Sequence, residues 1–172
     1  MIMDQQKRKV TDALRELGYD FNYFILSDFV AYIEAQRRRR IIVEDFTLEE
    51  VFGAWVATPD IDYVLVSDTT HPVHRAHIIL HEVGHIILRH SRHPLKDVLS
   101  PEMLERLGVE EPYGCARYIH TNDLSNTPEE REAEEFVFQI QDLVSRANRL
   151  QELIESGTSI PSLHTIFNGR EV

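Results

Sequence analysis

The sequence predicts an α+β fold: a small β-sheet near residues 41–66, with helices before and after it. Three observations predict it. Apolar residues recur at helical spacing in five separate segments. Two strand-like runs flank the turn dipeptide Pro59-Asp60. And 172 residues, 42% hydrophobic and 27% charged, are enough for one real core, since a chain of this size buries roughly 70% of its unfolded surface. With only 7 Gly and 7 Pro, collagen-like and low-complexity classes are excluded. The single cysteine, Cys115, forms no internal disulfide, which excludes the stapled secreted class.

Val10, Ala13, Leu14 and Leu17 share one helical face that stops at Gly18, a residue suited to the left-handed turn after a helix. A second helix is expected from Ser27, an N-cap residue, with Phe29, Val30 and Ile33 inward. It runs into Arg37-Arg38-Arg39-Arg40. Such a run grips phosphate or an acidic segment, or else simply complements a helix C-terminus in water.

Ile41-Ile42-Val43 reads as a strand, and Thr47-Leu48-Glu49-Glu50 as a brief capped helical turn. Gly53–Thr58 and Ile61–Val66 form a hairpin around Pro59-Asp60. From Pro72 to His90 the apolar residues cover most of a helix circumference, which predicts a buried helix. Ser100-Pro101 opens a short helix that Gly108 closes. Residues 109–126 carry Pro112, Gly114, Asn122 and Asp123 and read as a loop. Thr127-Pro128 opens the longest helix, with Ala133, Phe136, Val137, Ile140 and Leu143 as its stripe, continuing to about Ile154 before Gly157. The chain thus reads as one domain, with N-terminal helices over 1–40, a core over 41–157 and a tail over 158–172.

A formal net charge of -11 opposes direct nucleic-acid binding, which needs a basic footprint. The first nine residues turn polar too early for a signal peptide, and no apolar run approaches the ~20 residues of a membrane span. The expected location is the cytoplasm, with no membrane partner.

The chemistry is concentrated in His81-Glu82-Val83-Gly84-His85. On a helix, His81 and His85 lie one turn apart and project from one face, so both imidazoles can bind one metal ion. Glu82 sits about 100° round the helix, placed to act as general base rather than as ligand. With nine His, a random order of these residues gives only about 0.05 such matches. Zinc is the expected ion, and a catalytic zinc wants a third protein ligand. Leu88 and Ser91 stand where a third histidine of the metzincin pattern would be. A glutamate of the long helix is the natural alternative.

The first motif followed by Glu130-Arg131-Glu132-Ala133-Glu134-Glu135-Phe136 resembles the ImmA/IrrE family of zinc metallopeptidases, over roughly residues 45–145. The resemblance implies a zincin-like domain and an intracellular endopeptidase whose substrate is a helix-turn-helix transcriptional repressor. It implies His81, His85 and Glu130 as zinc ligands and Glu82 as the catalytic base. Glu134 stands where the family has Asn or Asp supporting a zinc histidine. Two readings compete at Glu130: ligand, or the folded-back member of a capping box with Thr127. Glu132 is then the fallback ligand.

Tyr113, Tyr118 and His120 are candidate donors to an oxyanion. His74 and His77 are either substrate contacts or ordinary surface residues. A rival to the peptidase is a zinc-containing regulatory module that binds a transcription factor without cleaving it.

Overall fold

The structure, a computed structural model, describes residues 2–47, 51–118 and 127–155. A mixed five-stranded sheet carries helices on both faces. Helix α1 (Ile2–Leu17) and α2 (Leu26–Arg37) are followed by strand β1 (Arg40–Phe46), the β2/β3 hairpin (Val51–Ala57 and Ile61–Ser67) and helix α3 (Pro72–Leu88). A short strand β4 (His93–Pro94), helix α4 (Pro101–Leu107), strand β5 (Tyr113–Tyr118) and helix α5 (Pro128–Glu155) complete the order. The strands lie β1-β3-β2-β5-β4 across the sheet. Only the β1/β3 pair is parallel.

Both faces of the central hairpin are buried, which is why its strands read as nearly continuous apolar runs. Trp55, Ala57, Val64 and Val66 face the core built with α1, α2, α3 and α5. Val56 and Leu65, one residue out of phase, face a second cluster with Leu95, Leu99, Met103 and Leu107 on the α4 side. A register shift between Val51 and Gly53 puts Val51 on the α4 side too, as an extra residue in one strand must.

Helix ends follow the expected chemistry at α4, where Ser100 accepts from Met103 N–H and Gly108 adopts φ 66°. The start of α2 differs from expectation. Its N-cap is Ile25, with no side-chain cap, and Ser27 lies inside the first turn. The run 109–126 is also not all loop, because Tyr113–Tyr118 pairs along β2 as β5. The sheet therefore extends well past residue 66. The turn expected over 48–50, the loop over 119–126 and the tail from 158 lie outside the described residues. No helix among the described residues is long and apolar enough to cross a membrane.

The arginine run is split by the fold. Arg37 ends α2, Arg38 caps it at φ 51°, and Arg37 and Arg39 both reach the buried carboxylate of Asp62 on β3, each at 2.7 Å.

Candidate metal centre

Helix α3 buries Ile78, Ile79, Leu80, Val83 and Ile86, and with them His81, Glu82 and His85. Three polar side chains at such a depth are costly unless each meets a polar partner. One turn apart, His81 and His85 bring their Nε2 atoms to 3.1 Å. The third member comes from α5. Its buried Ala133, Phe136, Val137 and Ile140 pack toward α3, and Glu130, one turn before Ala133, shares that face. Gly84 permits the close approach, since a Cβ there would lie 3.1 Å from the Phe136 ring. Glu130 Oε2 stands 3.1 Å from His81 Nε2, and Oε1 stands 3.3 Å from His85 Nε2.

Each Nε2 holds at most one proton, so hydrogen bonds alone do not account for three short contacts among three groups. The spacing instead matches about 3.3 Å, the edge of a tetrahedron with corners about 2.0 Å from its centre, which is the zinc–ligand distance. Two imidazoles and one carboxylate fit a divalent ion and leave a corner open. The three ligand atoms lie within 4.8 Å of one another, the one such group among the described residues.

Thr127 caps α5 through its own side chain. Its hydroxyl accepts from the Glu130 N–H at 3.2 Å, one half of a capping box. The Glu130 carboxylate does not complete the other half; it is committed to the two histidines. Burial works against that carboxylate, but hydrogen bonds from His81 and His85 outweigh it and hold the group at about 2. Burial dominates at His85 and lowers it to about 4. At His81 burial is overcome by Glu130 and Glu134, which raise the ring to about 9. Near neutral pH Glu130 is thus anionic and His85 neutral, the forms that ligate a cation, while His81 gives up a proton on binding one.

No family model, curated protein or solved structure matches this chain.

Glu132, the fallback ligand, points inward as its helix face requires but serves a different partner. Its Oε2 lies 3.0 Å from Nε2 of the buried His90 and also receives Lys9 of α1. His90 Nδ1 in turn lies 2.8 Å from His85 Nδ1. If His85 offers its Nε2 lone pair to a metal, its proton sits on Nδ1 and is donated to His90 Nδ1. His90 then carries its proton on Nε2 and donates it to Glu132. Every donor in this His85–His90–Glu132 relay meets an acceptor. His90 has no ligand spacing, and its one sequence signal is a third histidine just past the helix.

Glu134 reaches the other imidazole, with Oε2 3.4 Å from His81 Nδ1, and also pairs with His77 at 3.2 Å. His74 stacks on His77 and meets Phe52 edge-on. The Glu82 carboxylate, fully buried, lies toward Gly53 of β2, where an added Cβ would come within 3.4 Å of Oε1. Glu130 opens onto a cleft of about 110 Å³ lined by His93, Leu95, Cys115 and Thr127 among others. Tyr113 is not part of that cleft; it lines a separate hollow with His90 and Arg92. The side chain of Tyr118 and all of His120 lie outside the described residues.

Proposed function

We propose that this chain is a zinc-dependent metallo-endopeptidase that hydrolyses a peptide bond in a protein substrate. The observation that carries the reading is the convergence of His81, His85 and Glu130, with Glu82 in the same turn of α3. Two imidazoles, one carboxylate and an open corner are the donor set of catalytic zinc sites. A bound zinc ion supplies Lewis acidity and a water that ionises near neutral pH.

The chain's own residues supply the rest. Glu82 takes the proton of the attacking water and returns it to the leaving amine. His90 and Glu134 hold the outer nitrogens of His85 and His81, fixing ring orientation and tautomer. Beyond Gly114 the outer edge of β5 is not covered by β4, and an extended peptide adds to such an edge through main-chain hydrogen bonds. The cleft at Glu130 lies beside that edge, with Cys115 and Ala116 in its wall.

The resemblance to the ImmA/IrrE zincin-like peptidases supports a helix-turn-helix repressor as substrate and the cytoplasm as the place of action. A peptide library digested with zinc-loaded protein and with Glu82→Gln tests the hydrolytic reading. Cleavage by the wild type that disappears in a Glu82→Gln protein still holding its metal is the expected result. Persistence in Glu82→Gln, or no cleavage by the loaded wild type, favours the non-cleaving regulatory module.

A further inference from the structure

Beside His90 and Ile86, a cavity of about 480 Å³ is lined by Arg37, Arg39, Arg89 and Arg92, with Asp62 as the one carboxylate. Three positive charges are left in excess there, in a chain whose formal net charge is -11. We propose that this cavity binds a compact, multiply charged phosphate ligand, held by Arg37, Arg89 and Arg92.

The four arginines are not equivalent. Arg39 is structural: it donates to Asp62 and to the carbonyls of Thr58, Pro59 and Ile61. With Asp62 and the Trp55 indole, whose Nε1 donates to Asp62 at 3.0 Å, it makes the floor. Arg37 spends one Nη on Asp62 and keeps its other donors. Arg89 and Arg92 are exposed, and among the described residues neither side chain has a hydrogen-bond or ion-pair partner.

Cations at helix C-termini complement the macrodipole, which accounts for Arg37 at the end of α2 and Arg89 at the end of α3. It does not account for Arg92, which lies beyond α3 and faces the same hollow. A chain with surplus carboxylates has left Arg89 and Arg92 on this concavity without placing an acidic side chain on either, beside an Arg37 that shares its one carboxylate, Asp62, with Arg39.

Guanidinium forks bind phosphate oxygens in pairs, and no lysine lines the cavity. Cations from two segments about fifty residues apart meet over one floor. That arrangement suits several charges on one small group better than carboxylates spaced along a peptide. The volume lies within the range of about 300–1,000 Å³ usual for small-molecule sites. Past Arg92 the cavity shares Thr58, Pro59 and His90 with a wider hollow of about 750 Å³, which leaves room for the organic part of a phosphate ester.

Trp55 is the sole tryptophan of the chain and lines the cavity, so its emission reports occupancy. The test is titration of the full chain with inorganic pyrophosphate at low salt, followed by Trp55 fluorescence and by equilibrium dialysis. Arg89→Gly and Arg92→Ala are the variants. Arg89 holds φ 56°, a conformation glycine adopts freely, so Arg89→Gly keeps the fold while removing the cation. Saturable binding that is at least tenfold weaker in each variant and weakens with salt is the expected result. Glu130→Ala, which disrupts the metal ligands, is expected to keep the binding. No saturable binding by either method overturns the proposal, as does equal binding by the arginine variants. So does loss in Glu130→Ala alone, which would place the anion at the metal centre, or tighter binding of hexaglutamate than of pyrophosphate.

Discussion

Nδ1 of His90 stands 2.8 Å from Nδ1 of His85, so the histidine whose Nε2 faces His81 and Glu130 has its other nitrogen held by a second buried histidine. The orientation of His85 is thereby tied to Glu132 of α5 and Lys9 of α1. The N-terminal helix takes part in building the candidate metal centre, although it contributes none of the three candidate ligands.

His90→Ala is expected to weaken zinc affinity about 10–100-fold, the usual cost of losing an outer-shell partner. Competition with a chromophoric chelator measures this. His90→Gln, which restores a polar side chain, should recover part of the loss. Affinity unchanged in His90→Ala would show that the His85 ring is held by packing alone.

Glu134→Ala should have a smaller effect than His90→Ala in the same chelator assay. Glu134 is half exposed and stands 3.4 Å from His81 Nδ1, where water can replace it. A Glu134→Ala loss equal to that of His90→Ala would contradict this ranking.

Gly53→Ala places a methyl 2.3 Å from Ile78 Cγ2 and 3.0 Å from the Leu65 carbonyl. Neither neighbour yields easily, one being a β-branched side chain in the core and the other backbone. Overpacking of this kind costs roughly 1–3 kcal/mol, and a denaturant melt reads it directly. The same methyl pushes toward Glu82, so peptide cleavage should fall further than the stability loss explains.

Asp62 contributes to the acid sensitivity of the fold. Burial favours its neutral form, but hydrogen bonds from Arg39, Arg37 and Trp55 outweigh burial and hold it below the usual carboxylate range. A group with a depressed folded-state pKa contributes stability above its unfolded value, near 4, and that contribution is lost as pH falls through the folded value. Acid titration followed by Trp55 emission should therefore show wild-type stability decreasing below about pH 4. Asp62→Asn should be less stable at neutral pH by about 3–5 kcal/mol, with a flatter dependence over the acid range.

Much of this architecture is legible along the chain, and the exceptions share a cause. Helices α3 and α5 announce themselves by period, the β2/β3 hairpin by its Pro59-Asp60 turn, and the two-histidine turn by spacing. Strand β5 does not. Its Gly114 sits where a Cβ would come within 1.6 Å of the Trp55 carbonyl oxygen, so the glycine that reads as a loop signal is there for close approach to a strand some sixty residues earlier. Strand β4 is two residues long and includes a proline, too little for any pattern. The role of Glu132 was hidden for a similar reason. Its inward direction follows from sharing a face with Phe136, but its partner, His90, is known only once α5 packs on α3.

The metal content of protein purified without a histidine tag, beside Glu130→Ala, tests the central claim most directly. About one zinc per wild-type chain, lost in Glu130→Ala while the fold persists, is the predicted result. No bound metal in the wild type, even after reconstitution with zinc, would contradict the account and leave His81 and His85 as buried partners of a structural glutamate.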